Sequence, residues 1–203
     1  MAFNSYQALQ DSLAAWLNEA DLVVRVPDFI ALAEAVINRR VDHAQMFDVA
    51  RLSFSGDRAA LPADFLAVKS VRIDAAPNPQ IEFVTLDAFA ARFAQGGMPT
   101  QYTLRAGYIL FNPAPPTTTA ATLLYKQRIP PLSENGDNWL LDAFPDVYLY
   151  GALVQAAPYA EDEKRGAQWL ALFERAVAEV NRDGQRQSMG GTLQTNNGQP
   201  RTF

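Results

Sequence analysis

Apolar residues recur at helical spacing toward both ends of the chain and at strand spacing in its middle. Tyr6, Leu9, Leu13, Trp16 and Leu17 stripe one face of a helix behind Ser5, a residue suited to capping the first turn. Val26-Pro27-Asp28 announces a second helix, with proline in the first turn and an acid at the positive end. Phe29, Ala33, Val36, Ile37 and Arg40 carry it to about Ala44. With only residues 20–26 between them, two such helices lie close together and bury their stripes on each other or on a third. Past Met46 the period falls to two, Leu52 and Phe54 alternating with Arg51 and Ser53 ahead of a Gly56-Asp57 turn. Val68, Val71 and Ile73 predict a second strand, and residues 81–84 a third beyond the turn Ala76-Pro77-Asn78-Pro79. Thr85 or Asp87 then caps a short helix reaching Ala94 and ended by Gly96-Gly97. A hairpin follows, 102–104 and 108–111 around Arg105-Ala106-Gly107, then a break at Pro113-Ala114-Pro115-Pro116 and a strand over 119–127. Helical signals return over 139–144, from Asp146 through Val154 with an interruption at Pro158, and from Asp162 to Arg182. In the last of these Trp169, Leu172, Phe173, Ala176, Val177 and Val180 share a face.

These elements predict an α+β fold that is mainly α. Helices within 5–46 and 137–182 build one bundle, an antiparallel β-rich insertion at 47–130 projects from it, and residues 1–182 make a single domain. The expected bundle core is Leu9, Leu13, Trp16, Phe29, Val36, Ile37, Leu153, Trp169, Phe173 and Val177. Residues 183–203 hold glycines at 184, 190, 191 and 198 and only Met189, Leu193 and Phe203 as large apolar residues. Such a stretch buries too little to fold alone, which predicts a flexible C-terminal arm reaching roughly 70 Å when extended. It is either a terminus without a role or a segment whose Gln, Asn and Thr side chains bond along another protein and seat Phe203 in a pocket.

Composition narrows the chemistry. The 203 residues are 49% hydrophobic, enough for one domain or one domain plus an arm. Zero cysteines and a single histidine exclude disulfide frameworks, thiolate zinc sites, cysteine nucleophiles and multi-histidine metal sites. A net charge of −5 argues against a basic face gripping phosphate backbones. That charge is uneven: residues 1–163 hold 11 Lys/Arg against 19 Asp/Glu (−8), and 164–203 hold 6 against 3 (+3). This is either ordinary surface decoration or the basis for one copy's basic C-terminal region to meet another's acidic body, a head-to-tail contact that closes rings. The first residues lack the features of a secretory leader, and no apolar run approaches the ~20 residues of a membrane span. His43 beside Asp42 reads as a surface or helix-end histidine, because sequence neighbours face different ways and no nucleophile stands at a useful spacing. Glu161-Asp162-Glu163 marks a helix start rather than a metal or glycosidase cluster. Gly96-Gly97 and Gly190-Gly191 lack the lysine and helix of a phosphate loop. No catalytic residue, metal or cofactor is expected.

Several short patterns run in order along the chain. They are Tyr6-x-x-Leu9 with Ala15-Trp16-Leu17; Val26-Pro27-Asp28-Phe29-Ile30-x-Leu32-Ala33-Glu34 running into Ile37-Asn38-Arg39-Arg40; Leu61-Pro62-x-Asp64-Phe65-Leu66; Pro99-x-x-Tyr102; and Leu110-x-x-Pro113. Tyr125, Ile129-Pro130-x-Leu132-Ser133, Asp146-x-Tyr148-Leu149-Tyr150-Gly151-Ala152-Leu153 and Ala156-Ala157-x-Tyr159 follow. Over about residues 5–180 this order resembles the tailed-phage head-to-tail adaptor (connector, or head completion) proteins. The resemblance implies a non-enzymatic structural protein of the virion neck, assembled in the host cytoplasm. It implies a ring, usually dodecameric, that extends the DNA channel beneath the portal and docks a tail or nozzle. The implied partners are copies of the chain itself, the portal protein, tail or nozzle proteins, and double-stranded DNA that passes without specific binding; no membrane is involved. Because C-terminal segments of such adaptors reach along the portal, Met189, Leu193, Arg201 and Phe203 are the expected portal contacts. Two other readings compete. A virion peptidoglycan hydrolase requires paired acids in a cleft with one pKa raised. A ligand- or peptide-binding module on the β insertion requires Tyr102, Tyr108 and Phe111 to form a groove rather than pack within the sheet.

Overall fold

Caps and turns set the element boundaries in the computed structural model, which describes residues 5–74, 81–91, 97–116, 119–160 and 163–189. In chain order the helices are α1 (Tyr6–Leu17), α2 (Ala20–Val23), α3 (Val26–Arg40), α4 (Leu86–Ala90), α5 (Leu132–Asn135), α6 (Trp139–Ala143), α7 (Pro145–Ala156) and α8 (Glu163–Met189). The strands are β1 (Phe47–Ser53), β2 (Arg58–Ala60), β3 (Phe65–Ile73), β4 (Glu82–Phe83), β5 (Gln101–Arg105), β6 (Tyr108–Asn112) and β7 (Ala120–Gln127). The fold is mixed α/β and about half helical. It divides into a helical unit, Met1–Gln45 with Ile129–Phe203, and a β unit, Met46–Arg128.

In the helical unit the Ser5 hydroxyl accepts the Ala8 N–H at 3.2 Å and the Tyr6 N–H donates to the Gly136 carbonyl at 2.7 Å, which fixes the start of α1. Asn18 in the left-handed region (φ 51°) ends it. Leu9, Leu13 and Leu17 face the core, but Trp16 does not. It flanks the buried stripe, is 47% exposed and meets Tyr150 edge-on at 6.5 Å, so the expected core position is a rim position. Proline and Asp28 in its first turn and Arg39 and Arg40 in its last favour α3 at both ends. It ends at Arg40, short of residue 44, because Val41 turns extended (φ −80°, ψ 133°). Phe29, Ala33 and Ile37 are buried and Val36 is half-buried.

The centre of the unit is α7, whose Val147, Tyr148, Leu149, Gly151, Ala152, Leu153 and Ala156 are all buried. Helices α3 and α8 both pack on it. Gly151 permits a close approach: a Cβ there would lie 3.1 Å from the Phe173 ring and 3.3 Å from the Ala33 methyl. From α8 come Trp169, Phe173, Ala176, Val177 and Val180, all buried. This helix runs 27 residues, about 40 Å, and ends at Met189 rather than near Arg182. Gln185, Arg186 and Gln187 are good helix formers, Gln187 Nε2 donates to Asp183 at 2.9 Å, and the Ser188 hydroxyl donates to the Gly184 carbonyl at 2.9 Å.

The β unit holds a three-stranded antiparallel sheet in the order β1-β7-β3 and a four-stranded sheet in the order β2-β6-β5-β4. In the second sheet β4 runs parallel to β5, against the expectation of a wholly antiparallel module. Thr85 caps α4 by accepting the Ala88 N–H. The β5–β6 hairpin turns on Ala106 and Gly107, both at positive φ (47° and 81°), a two-residue geometry whose twist matches the strands. Leu52, Val71, Ile73, Leu123 and Tyr125 from the first sheet share one core with Ala59, Tyr102, Ile109 and Phe111 from the second. The 76–79 turn and the Gly96 terminator lie outside the described residues.

Candidate functional site

The chain leaves the helical unit after residue 45 and returns at 129, and polar side chains of that unit hold both connections. At the return, Asn38 Oδ1 accepts the Ile129 N–H at 2.8 Å while its Nδ2 donates to the Glu34 carbonyl at 2.9 Å. One turn earlier on α3, Glu34 Oε1 accepts the Leu132 N–H at 2.8 Å. Asn138 donates to the Pro130 carbonyl and to the Tyr148 hydroxyl, both at 2.8 Å, and accepts the Leu141 N–H to cap α6. The Ile129 and Leu132 N–H groups, both of buried residues, and the Pro130 carbonyl are thereby bonded rather than left dry. Glu34, Asn38, Ile129, Leu132 and Tyr148 belong to the sequence patterns set out above, so those patterns converge in space.

At the exit, Asn181 from α8 bridges the main chain, accepting the Asp42 N–H at 2.7 Å and donating to the Arg40 carbonyl at 3.1 Å. Arg40 pairs with Glu174 and lies over the Phe173 ring at 5.9 Å. His43 is 2% exposed and stacks on Trp139 at 4.8 Å, so it is not a surface histidine. Its Nδ1 accepts the Gln45 N–H at 3.2 Å, which assigns the ring proton to Nε2, 3.2 Å from Asp183 Oδ2. Both ring nitrogens are thus engaged in holding the chain. Gly184 permits this approach, because a Cβ there would lie 2.8 Å from the Asp42 carbonyl oxygen and from His43 Cα.

Burial raises the pKa of Glu34, opposed by its bond from the Leu132 N–H and assisted by the charge of Glu134. Burial likewise drives Tyr148 far up, against the bond from Asn138. Asp146 is raised by burial and by Glu179, while its own N–H and that of Val147 pull the other way. A hydrolase needs such raised carboxyls, yet these two accept main-chain amides at a chain return and at the first turn of α7. A depression of about 270 Å³ in the β unit has no carboxylate in its lining of Val49, Ser70, Arg72, Thr122 and Leu124. Among the described residues no group of three His, Cys, Asp or Glu side chains is placed to hold a metal. No described helix is long and apolar enough to cross a membrane.

That depression lies on the outer face of the β1-β7-β3 sheet. Strand alternation sends Leu52, Leu123 and Val71 inward, and register places Val49, Leu124 and Ser70 in one outward row and Arg51, Thr122 and Arg72 in the next. Beyond the apolar row Phe47 and Lys126 are paired, with Lys69 Nζ over the Phe47 ring at 5.5 Å. Asp74 binds Arg51 at 3.4 Å and the Thr122 hydroxyl at 2.7 Å. Charge follows the division of the chain: the β unit carries eight Lys/Arg against six Asp/Glu (+2), the helical unit nine against sixteen (−7).

The three aromatics that a ligand-binding module would need in one groove do not come together. Tyr102 and Phe111 face each other across β5 and β6 and are buried, whereas Tyr108 is exposed beneath the Arg58 guanidinium at 5.0 Å. The Met189 side chain, Leu193, Arg201 and Phe203, with Gly190-Gly191, lie outside the described residues. Sequence reasoning missed Asn38, Asn138 and Asn181. The four-residue step from Glu34 to Asn38 and the position of Asn138 before a helix were the available signals; Asn181 gave none.

No curated protein matches this sequence. The family comparison does: the pattern of the SU10 adaptor protein matches residues 4–196, spanning both units and both connections. With nearly the whole chain matched, the protein belongs to the SU10 adaptor protein family and is thereby a structural adaptor of the phage head–tail type.

Proposed function

We propose that copies of this chain form a ring, dodecameric as in related adaptors, beneath the portal of a tailed phage, where it extends the DNA channel and docks the tail or nozzle. The observation that carries this reading is the family match over residues 4–196. The charge distribution supports it. Each phosphate neutralised by Lys or Arg releases counterions and adds affinity that would retard passing DNA, and a helical unit of net charge −7 offers little such grip. The length of α8 supports a role for the C-terminal end. About 40 Å of helix, docked at Asn181 and Gly184, carries the chain on to Leu193, Arg201 and Phe203, which with Met189 engage the portal. A segment that orders on binding pays its conformational cost only when the portal is present, which delays assembly until then.

The test is co-sedimentation with purified portal rings. Residues 183 and 184 take part in the fold, so the informative truncation keeps Met189 and removes 190–203. The full chain is expected to sediment with portal and the truncated chain to stay in the supernatant while keeping its circular dichroism. Equal binding by both removes the C-terminal segment from the mechanism; no binding by the full chain overturns the reading.

A further inference from the structure

Resting on the ring reading, we infer that the outer face of the β1-β7-β3 sheet of one copy receives the connection between α1 and α3 of a second copy. The face is built for a chemically mixed guest. Its middle row is apolar, Val49 (59% exposed) beside Leu124, and cations stand on both sides: Arg51 and Arg72 in one flanking row, and in the other Lys126, whose row partner Phe47 has Lys69 Nζ over its ring at 5.5 Å. Asp74 lies at the Arg51 edge. A surface for phosphate alone would not centre on valine and leucine, and a cationic face turned toward a DNA channel would brake the passing duplex. The face therefore suits a protein bearing carboxylates around an apolar tip.

The helical unit presents such a tip. Between α1 and α3, Val24 is 81% exposed and Val23 37%, Glu19 and Asp21 are exposed on the same short stretch, and its one cation, Arg25, lies over the Tyr159 ring at 5.6 Å. Apolar centre meets apolar tip, and flanking cations meet flanking carboxylates. The two surfaces are different patches of the chain, so their contact is heterologous, the class that generates a ring when the rotation closes. It differs from a contact of the basic C-terminal region with the acidic body, in that the cations it uses lie in the β unit.

The experiment measures particle mass for mixtures of full-length protein and portal. Arg51→Glu with Arg72→Glu, and separately Glu19→Arg with Asp21→Arg, should each weaken assembly at least about tenfold. All four changes in one chain should restore it, since every neighbour contact then carries the reversed pair. Val24→Asp, at an exposed position indifferent to folding, should weaken assembly as well; circular dichroism checks the fold of each variant. Normal rings from either charge-reversed pair or from Val24→Asp, or failure of the fourfold variant to assemble, overturn this inference and leave the ring reading standing. Arg51→Glu/Arg72→Glu rings that form normally yet retain less duplex DNA on a filter reassign the face to DNA and overturn it too. A wild-type chain that stays monomeric with portal present defeats the ring reading instead.

Discussion

Gly184→Ala gives opposite signs for two accounts of α8. Within a solvated helix, alanine stabilises over glycine by about 0.8–1 kcal/mol. A new methyl at this position instead meets the Asp42 carbonyl oxygen and His43 Cα at 2.8 Å, where ordinary contact begins at 3.4 Å. Both are main-chain atoms and cannot swing aside as a flexible side chain would. The last turns of α8 must withdraw, which loosens the Asn181 bridge at 2.7 and 3.1 Å and the His43–Asp183 contact at 3.2 Å. Overpacking costs about 1–3 kcal/mol and each weakened bond about 0.5–1.5 kcal/mol. After the propensity gain, a net loss of about 1–2 kcal/mol is expected. Trp16, Trp139 and Trp169 all lie in the helical unit, so tryptophan fluorescence in a urea titration follows that unit alone. The midpoint should fall. A midpoint above that of the wild type would mean that α8 does not dock on residues 42–43.

Asn38→Ala removes the acceptor for the buried Ile129 N–H and should cost about 1–3 kcal/mol in the same titration; a loss under about 0.5 kcal/mol would mean the return is not held there. Glu34 has a folded pKa above its ordinary 4.5, so its penalty is absent below that value and grows as pH rises through the folded pKa. Glu34→Gln, whose amide oxygen can still accept the Leu132 N–H, should flatten that fall of stability with pH, and an unchanged pH profile would refute the burial argument. Trp16→Ala should cost about 1 kcal/mol by thermal circular dichroism, whereas Leu13→Ala should cost about 2–5 kcal/mol. Equal losses would return Trp16 to the core.

Where a signal was local, the sequence disclosed it. Ser5, Pro27 with Asp28, Thr85 and the 105–108 turn set their elements through contacts within a few residues, and α1, α3 and the β5–β6 hairpin follow from them. The central position of α7 left no stripe, because a helix apolar on most sides has no preferred face. Trp16 was misplaced because periodicity groups rim with core. The burial of His43 was hidden by distance: Asp183 stands 140 positions away, and Asn181 is 139 from Asp42. The parallel partner of β4 was equally invisible, since strand order is set by tertiary packing. The outer sheet face was half legible. Alternation with Leu52 turns Arg51 outward, but its row with Thr122 and Arg72 exists only in the register of three strands.

The central claim is that copies of this chain act as a ring in the neck of a virion, and electron microscopy of the mature particle's neck tests it most directly. The account predicts a closed ring of this polypeptide beneath the portal, with each β-unit sheet against a neighbour's α1–α3 connection. A mature neck that lacks the polypeptide, or holds it only as single unassociated copies, would contradict it.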